Sequence, residues 1–137
     1  MSSGTQRRLR RLTIYDKNTV AVVGDTGLVL VSTNAGQSWN EYYPLGDSSS
    51  LLSIGFRACT FSDNRTIWIS DYNFRLPLAE TGFVLRSKDN GKTWENIKIA
   101  NTDNDRYFSI VFKSPLKGWM CGYRRMATES RIPLLLY

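Results

Sequence analysis

The octet SKDNGKTW (87–94) has an echo in STNAGQSW (32–39). Each follows an apolar run opened by Thr-Gly: TGLVLVS (26–32) before the first and TGFVLRS (81–87) before the second. Each then leads into a further half-apolar segment, WNEYY (39–43) or WENIKI (94–99). A polar octet between two such segments is where a chain reverses direction. Gly36 and Gly91 suit a left-handed backbone that side chains resist. Asn34 and Asp89 suit an Asx-turn, and Trp39 and Trp94 bring a large ring back onto the sheet. Ser32, Ser38, Ser87 and Thr93 complete the two polar sets.

A second registration works outward from the octets. TVAVVGDTG (19–27), TIWISDYNF (66–74) and KGWMCGYRR (117–125) place Ala21, Trp68 and Trp119 in one column, at spacings of 47 and 51 residues. Upstream of it stand Ile14, Phe61 and Phe112, and before them Leu12, Cys59 and Ile110. The polar turns YDKN (15–18), SDNR (62–65) and KSPL (113–116) separate the two apolar segments of each unit. Alternation with period two means strands. Each unit therefore reads strand, turn, strand, loop, strand, octet, strand.

Four antiparallel strands repeated about every 50 residues are the signature of propeller blades. The fold expected is all-β, with a basic tail at 1–7, a first blade at 8–52, a second at 53–104 and a partial third at 105–137. LLLY (134–137) falls under FVLR (83–86), so about two and two-thirds blades are expected of an incomplete ring. The missing blades would come from the rest of a longer native chain or from oligomerisation. An open ring is expected to expose edge strands and an apolar blade face.

The 137 residues suffice for one domain with a real core, and 42% apolar against 22% charged content is globular. Eighteen Lys and Arg against 12 Asp and Glu leave a charge of +6, which attracts anionic partners. With no histidine and only Cys59 and Cys121, in different units, neither a metal site nor a disulfide is expected. No apolar run reaches membrane-spanning length, and the N-terminal stretch lacks the unbroken apolar run of a signal peptide.

The pattern S-x-D-x-G-x-T-W resembles the Asp-box, or BNR repeat, of sialidase-like propellers. SKDNGKTW matches at every fixed position, and STNAGQSW departs at Asn34 and Ser38. The wider unit, with GWMCG (118–122) and TGFVLRSKDNGKTW (81–94), is similar to photosystem II assembly-factor-type propellers. That resemblance implies a protein-binding or assembly scaffold without catalysis or cofactor. It also implies a working rim opposite the octets, and it leaves the compartment open, relatives often being exported.

On that rim the loops after the second strands lengthen from GDTG (24–27) to DYNFRLPLAETG (71–82) and GYRRMATESRIP (122–133). They carry Arg75, Arg124, Arg125 and Arg131 beside Tyr72, Phe74 and Tyr123, and the unit connections add Arg106 and Tyr107. Arginine forks among aromatic surface suit carboxylates or another anionic ligand, above all an acidic protein segment. Glu80 and Glu129 would neutralise part of the charge, and ordinary solvated loop charges are the plainer reading.

Two other readings stay open. A carbohydrate-active glycoside hydrolase fragment is suggested by FRLP (74–77) and SRIP (130–133), which resemble the R-I-P motif of sialidases. The two do not share a column, and no catalytic tyrosine–glutamate pair or acid can be placed. Nucleic acid is suggested by QRRLRR (6–11), but Arg10 aligns with Arg57 and Phe108 on first strands, and no stacking platform accompanies the run.

Overall fold

The computed structural model describes residues 4–46, 55–71, 84–97, 99, 105–125 and 131–136, with backbone alone at Asp71, Arg125 and Leu136. Strands β1 (Leu9–Ile14), β2 (Val20–Gly24), β3 (Val29–Ser32) and β4 (Asn40–Tyr42) form one antiparallel sheet in chain order. Strands β5 (Phe56–Phe61), β6 (Ile67–Asp71), β7 (Val84–Ser87) and β8 (Glu95–Ile97) form a second of the same order. The third sheet holds β9 (Asp105–Ser114), β10 (Lys117–Arg125) and β11 (Arg131–Leu136). Thr13 pairs with Ala21, Thr60 with Trp68 and Val111 with Trp119, so the column drawn through the sequence is one structural position in three sheets.

Alternation decides which face each side chain takes, and the faces stack sheet on sheet. Ala21, Val23, Val29 and Val31 of the first sheet meet Phe61, Ile67, Ile69 and Leu85 of the second in one cluster. On the other face of the second sheet, Ala58, Val84 and Trp68 meet Tyr107, Ile110, Phe112 and Met120. Each fully buried branched side chain is worth roughly 1.5–3 kcal/mol over its exposed state. These two seams hold the sheets together.

The same inner-strand position is bulged in all three sheets. Pairing skips Arg10 between Leu9 and Arg11, Arg57 between Phe56 and Ala58, and Phe108 between Tyr107 and Ser109. A bulge leaves one residue unpaired and re-aims its side chain. Period-two alternation cannot show this, because the bulge breaks the very period being counted.

The third unit departs from the sequence expectation at both ends of β10. The polar turn at 113–116 shrinks to Pro115 and Leu116, with Lys113 and Ser114 part of β9 and Ser114 paired with Lys117. In the first two units Asp16 Oδ1 accepts the amides of Asn18 and Thr19 (2.8 and 2.7 Å), and Asp63 Oδ1 those of Arg65 and Thr66 (2.9 and 2.8 Å). Ser114 stands in that column, without a carboxylate to hold the wider turn. The expected loop at 122–133 is mostly ladder, with pairing continuing to Arg124↔Ile132 and Arg125↔Arg131. Arg131 over the Tyr123 ring adds a side-chain contact across this hairpin.

Candidate functional site

The octets and the opposite rim are built differently. Ser32 Oγ donates to Asn34 Oδ1 (2.9 Å) and accepts from the Gly36 amide (2.8 Å). Ser87 Oγ does the same with Asp89 Oδ1 and the Gly91 amide, both at 2.8 Å. Asn34 Oδ1 and Asp89 Oδ1 then accept the amides of Ser38 (3.0 Å) and Thr93 (2.9 Å). Only the second oxygen of Asp89 differs in role: it accepts the Thr93 hydroxyl at 2.6 Å, where Asn34 Nδ2 donates to Ser38 at 2.8 Å. Asn can therefore stand for Asp because one oxygen makes the turn and the second group has a hydroxyl beside it that can donate or accept.

Left-handed backbone occupies two successive residues in each octet, Ala35–Gly36 (φ 57 and 80) and Asn90–Gly91 (φ 58 and 92). Trp94 Nε1 donates to the Gly91 carbonyl at 2.8 Å. Desolvation raises the Asp89 pKa, but bonds from the Thr93 hydroxyl and amide and the Ser87 hydroxyl outweigh it and bring it down to about 2. All these groups are satisfied within the turn, which suits a structural role.

The opposite rim is where β1, β5 and β9 begin and β2, β6 and β10 end. Arg8, Arg10, Arg11 and Arg57 gather there around one depression, with Leu9 and Phe56. Arg10 Nε is paired with Asp25, and Arg11 Nε donates to the Arg57 carbonyl at 3.2 Å. The Asp25 amide donates to the Arg8 carbonyl at 2.9 Å, tying the chain after β2 to the start of β1. Asp25 thus engages Arg10 by its side chain and Arg8 by its backbone.

In the third sheet the polarity reverses, with the acid on the inner strand. Asp105, 1% exposed, receives Arg124 Nε at 2.8 Å on Oδ1 and Nη2 at 3.3 Å on Oδ2. The Tyr107 hydroxyl adds a bond to Oδ2 at 3.1 Å. Hydrogen bonding to Asp105, and then its charge, raise the Arg124 pKa above its ordinary value. Beside this pair Arg131 lies over the Tyr123 ring (4.9 Å), and Tyr123 against Phe108 (5.4 Å). Arg106 is buried.

Of the residues singled out from the sequence, Tyr123, Arg124 and Arg131 come together on the β10–β11 hairpin, with Arg125 on the same strand. They are strand residues, where loop residues were expected. The fork of Arg124 is engaged by Asp105. Tyr72, Phe74, Arg75, Glu80 and Glu129 lie outside the described residues. Sequence reasoning passed over Arg8, Arg11 and Arg57 as site members. The signal was present in the run QRRLRR and in the Arg10–Arg57 column, but nothing in the sequence showed that the two first strands lie side by side. Among the described residues no group of three His, Cys, Asp or Glu could hold a metal, and no helix is long and apolar enough to cross a membrane.

Sheets of antiparallel strands in chain order, stacked face to face with inner strands adjacent, are the blades of a β-propeller. No family model matches the chain. It is 27% identical over 73 residues to the photosystem II assembly protein Ycf48 of Synechococcus sp. (strain JA-3-3Ab), a match covering 53% of this chain and 20% of that protein. Among solved structures it resembles a Ycf48 described as bound to D1 peptide, with a TM-score of 0.67, 16% identity, and 97% of this chain and 42% of that one covered. It also resembles Ycf48 from Cyanidioschyzon merolae, at a TM-score of 0.62 and 18% identity, over 87% of this chain and 36% of that one. A GH43 β-1,3-galactosidase with galactodeoxynojirimycin aligns at a TM-score of 0.54 and 11% identity, over 95% and 41%. The structural likenesses establish the propeller fold. The chain spans well under half the length of each of these proteins.

Proposed function

We propose that this chain is a non-catalytic propeller segment whose arginine rim holds an acidic segment of a partner protein. The observation that carries this reading is the convergence of Arg8, Arg10, Arg11 and Arg57 around one depression, two of them on re-aimed bulges. A carboxylate entering there meets planar donors that bind two oxygens at once. We include Arg131 with Tyr123 in the third sheet and, from the sequence pattern alone, Arg75, Arg125 and Tyr72, while Arg124 is kept for holding Asp105. The sequence match to an assembly protein, and a related fold described with a bound peptide, support a protein ligand.

Among the described residues of this rim, Asp25 and Asp105 are each gripped by an arginine, which disfavours catalysis by either of them. A pair of glycosidase carboxylates needs one member free to protonate and one free to attack or activate water. The test is titration of a fluorescent Asp/Glu-rich peptide against the chain. Binding should weaken from 50 to 300 mM salt, and Arg11→Ala with Arg57→Ala should weaken it by about tenfold, as loss of charge-assisted bonds does. Equal affinity of the double variant, at an unchanged unfolding midpoint, rejects the reading.

A further inference from the structure

We propose that the groove between β8 and the β9–β10 hairpin is the seat of a β-strand carrying a polar octet and a tryptophan, of the kind the chain itself has at 87–97. The argument is the chain's own repetition. In the second sheet, Trp94 packs into the seam between the first and second sheets, together with Tyr42 of β4. The octet lies directly on the first sheet: a Cβ on Gly91 would come within 2.8 Å of Tyr42 Cδ2 and 3.2 Å of Val31 Cγ2. The Asn90 amide donates to the Arg65 carbonyl at 3.0 Å, as Ala35 does to Asn18 at 2.9 Å. One octet strand thus closes the outer end of a seam and ties down the first turn of its own sheet.

One sheet further along, the receiving surface recurs. Ile97 occupies Tyr42's place, since Val29 pairs with Tyr42 and Val84 with Ile97. Met120 stands in the column of Ile69, and Leu116 in that of Arg65, on its tighter turn. Ile97, Ile99, Phe112, Met120 and Leu116 border an apolar groove backed by Trp68. The groove is continuous with the seam that already joins the second and third sheets. Trp68 and Trp119 line its wall, and among the described residues no octet tryptophan enters it as Trp94 enters the seam before. Leu116, at its lip, is 98% exposed. Alongside, β11 is the edge of its sheet among the described residues, a template for one further strand. A second copy has no octet strand to lend without dismantling a sheet, because β4 and β8 are both paired within their own.

The probe is a fluorescent peptide copying residues 87–97, SKDNGKTWENI, titrated against the 137-residue chain by anisotropy. Saturable binding is expected, weakened roughly 30-fold when the peptide's tryptophan is replaced by alanine, as for a buried aromatic anchor. Leu116→Asp in the chain should weaken it about tenfold while leaving the unfolding midpoint unchanged, since Leu116 touches little of its own fold. No binding, or equal binding of the tryptophan and alanine peptides, overturns the proposal. So does sedimentation showing that the chain dimerises through this groove, with Leu116→Asp giving monomers and the peptide failing to compete.

Discussion

The second and third sheets are written on the same columns, and they differ in what lies over them. In the second sheet Val84 is 1% exposed and Ser70 0%, because Tyr107, Ile110 and their neighbours cover that face. In the third sheet the same columns hold Leu135, 73% exposed, and Cys121, also exposed. The opposite end of the stack shows the mirror case: Leu12 is 59% exposed and Ile14 64%, where Phe61 in the second sheet is 7%. A blade's side chains are thus chosen for a neighbour, and the energy of burial depends on whether that neighbour is present. Identical pattern does not mean identical stability.

The largest contrast should appear in cysteine chemistry. Cys59 packs against the first seam, and desolvation pushes its thiol up to about 12; Cys121 lies on the uncovered face. A thiol reagent at pH 8 should label Cys121 in the native chain within minutes and spare Cys59 until denaturant is added, as read by peptide mass spectrometry. Labelling of both at one rate would mean the first seam opens freely.

Core truncations come next. Ile69→Ala, at a fully buried site of the middle sheet, should cost about 3 kcal/mol by denaturant unfolding. Leu135→Ala should cost less than about 0.5 kcal/mol. Comparable losses would show that the third sheet's open face is covered in solution. Asp105→Ala should cost about 2 kcal/mol, because it strips a buried set of bonds from Arg124 and Tyr107. Asp25→Ala, at the more exposed pair with Arg10, should cost under about 1 kcal/mol.

The smallest effect separates the two octets. Asp89 has a folded pKa of about 2, below its ordinary 3.8, so it stabilises the fold above the ordinary value and loses that contribution as pH falls through about 2. Asp89→Asn, copying Asn34, should change stability at pH 7 by less than about 0.5 kcal/mol. It should flatten the pH dependence of the unfolding midpoint between about pH 4 and pH 2. A variant that keeps the wild-type slope there would assign the dependence to other carboxylates.

The strands and their order could be read because alternation and turn chemistry are local signals. Trp68 and Trp119 share a column in the sequence and in the sheets. The bulges at Arg10, Arg57 and Phe108 could not be read, since a skipped residue looks like an interrupted alternation. The length of the β10–β11 hairpin was also hidden: Arg124 and Arg131 read as loop residues until Asp105 and Tyr123 are seen holding them. Of the candidate rim, the arginines of the third blade were legible as a cluster of type. Arg8, Arg11 and Arg57 required knowing that β1 and β5 are neighbours.

By itself the sequence determined the all-β class, the repeat, the two octet turns and the first turns of the first two units. These depend on near neighbours in the chain: a period of two, a left-handed position, an Asx bond. Only the tertiary structure decided which faces are buried, which arginines share a depression and which are held by an acid. Those depend on how separate sheets stack, and the same Leu, Cys or Arg in the same column is core, surface or ion pair according to what lies opposite it.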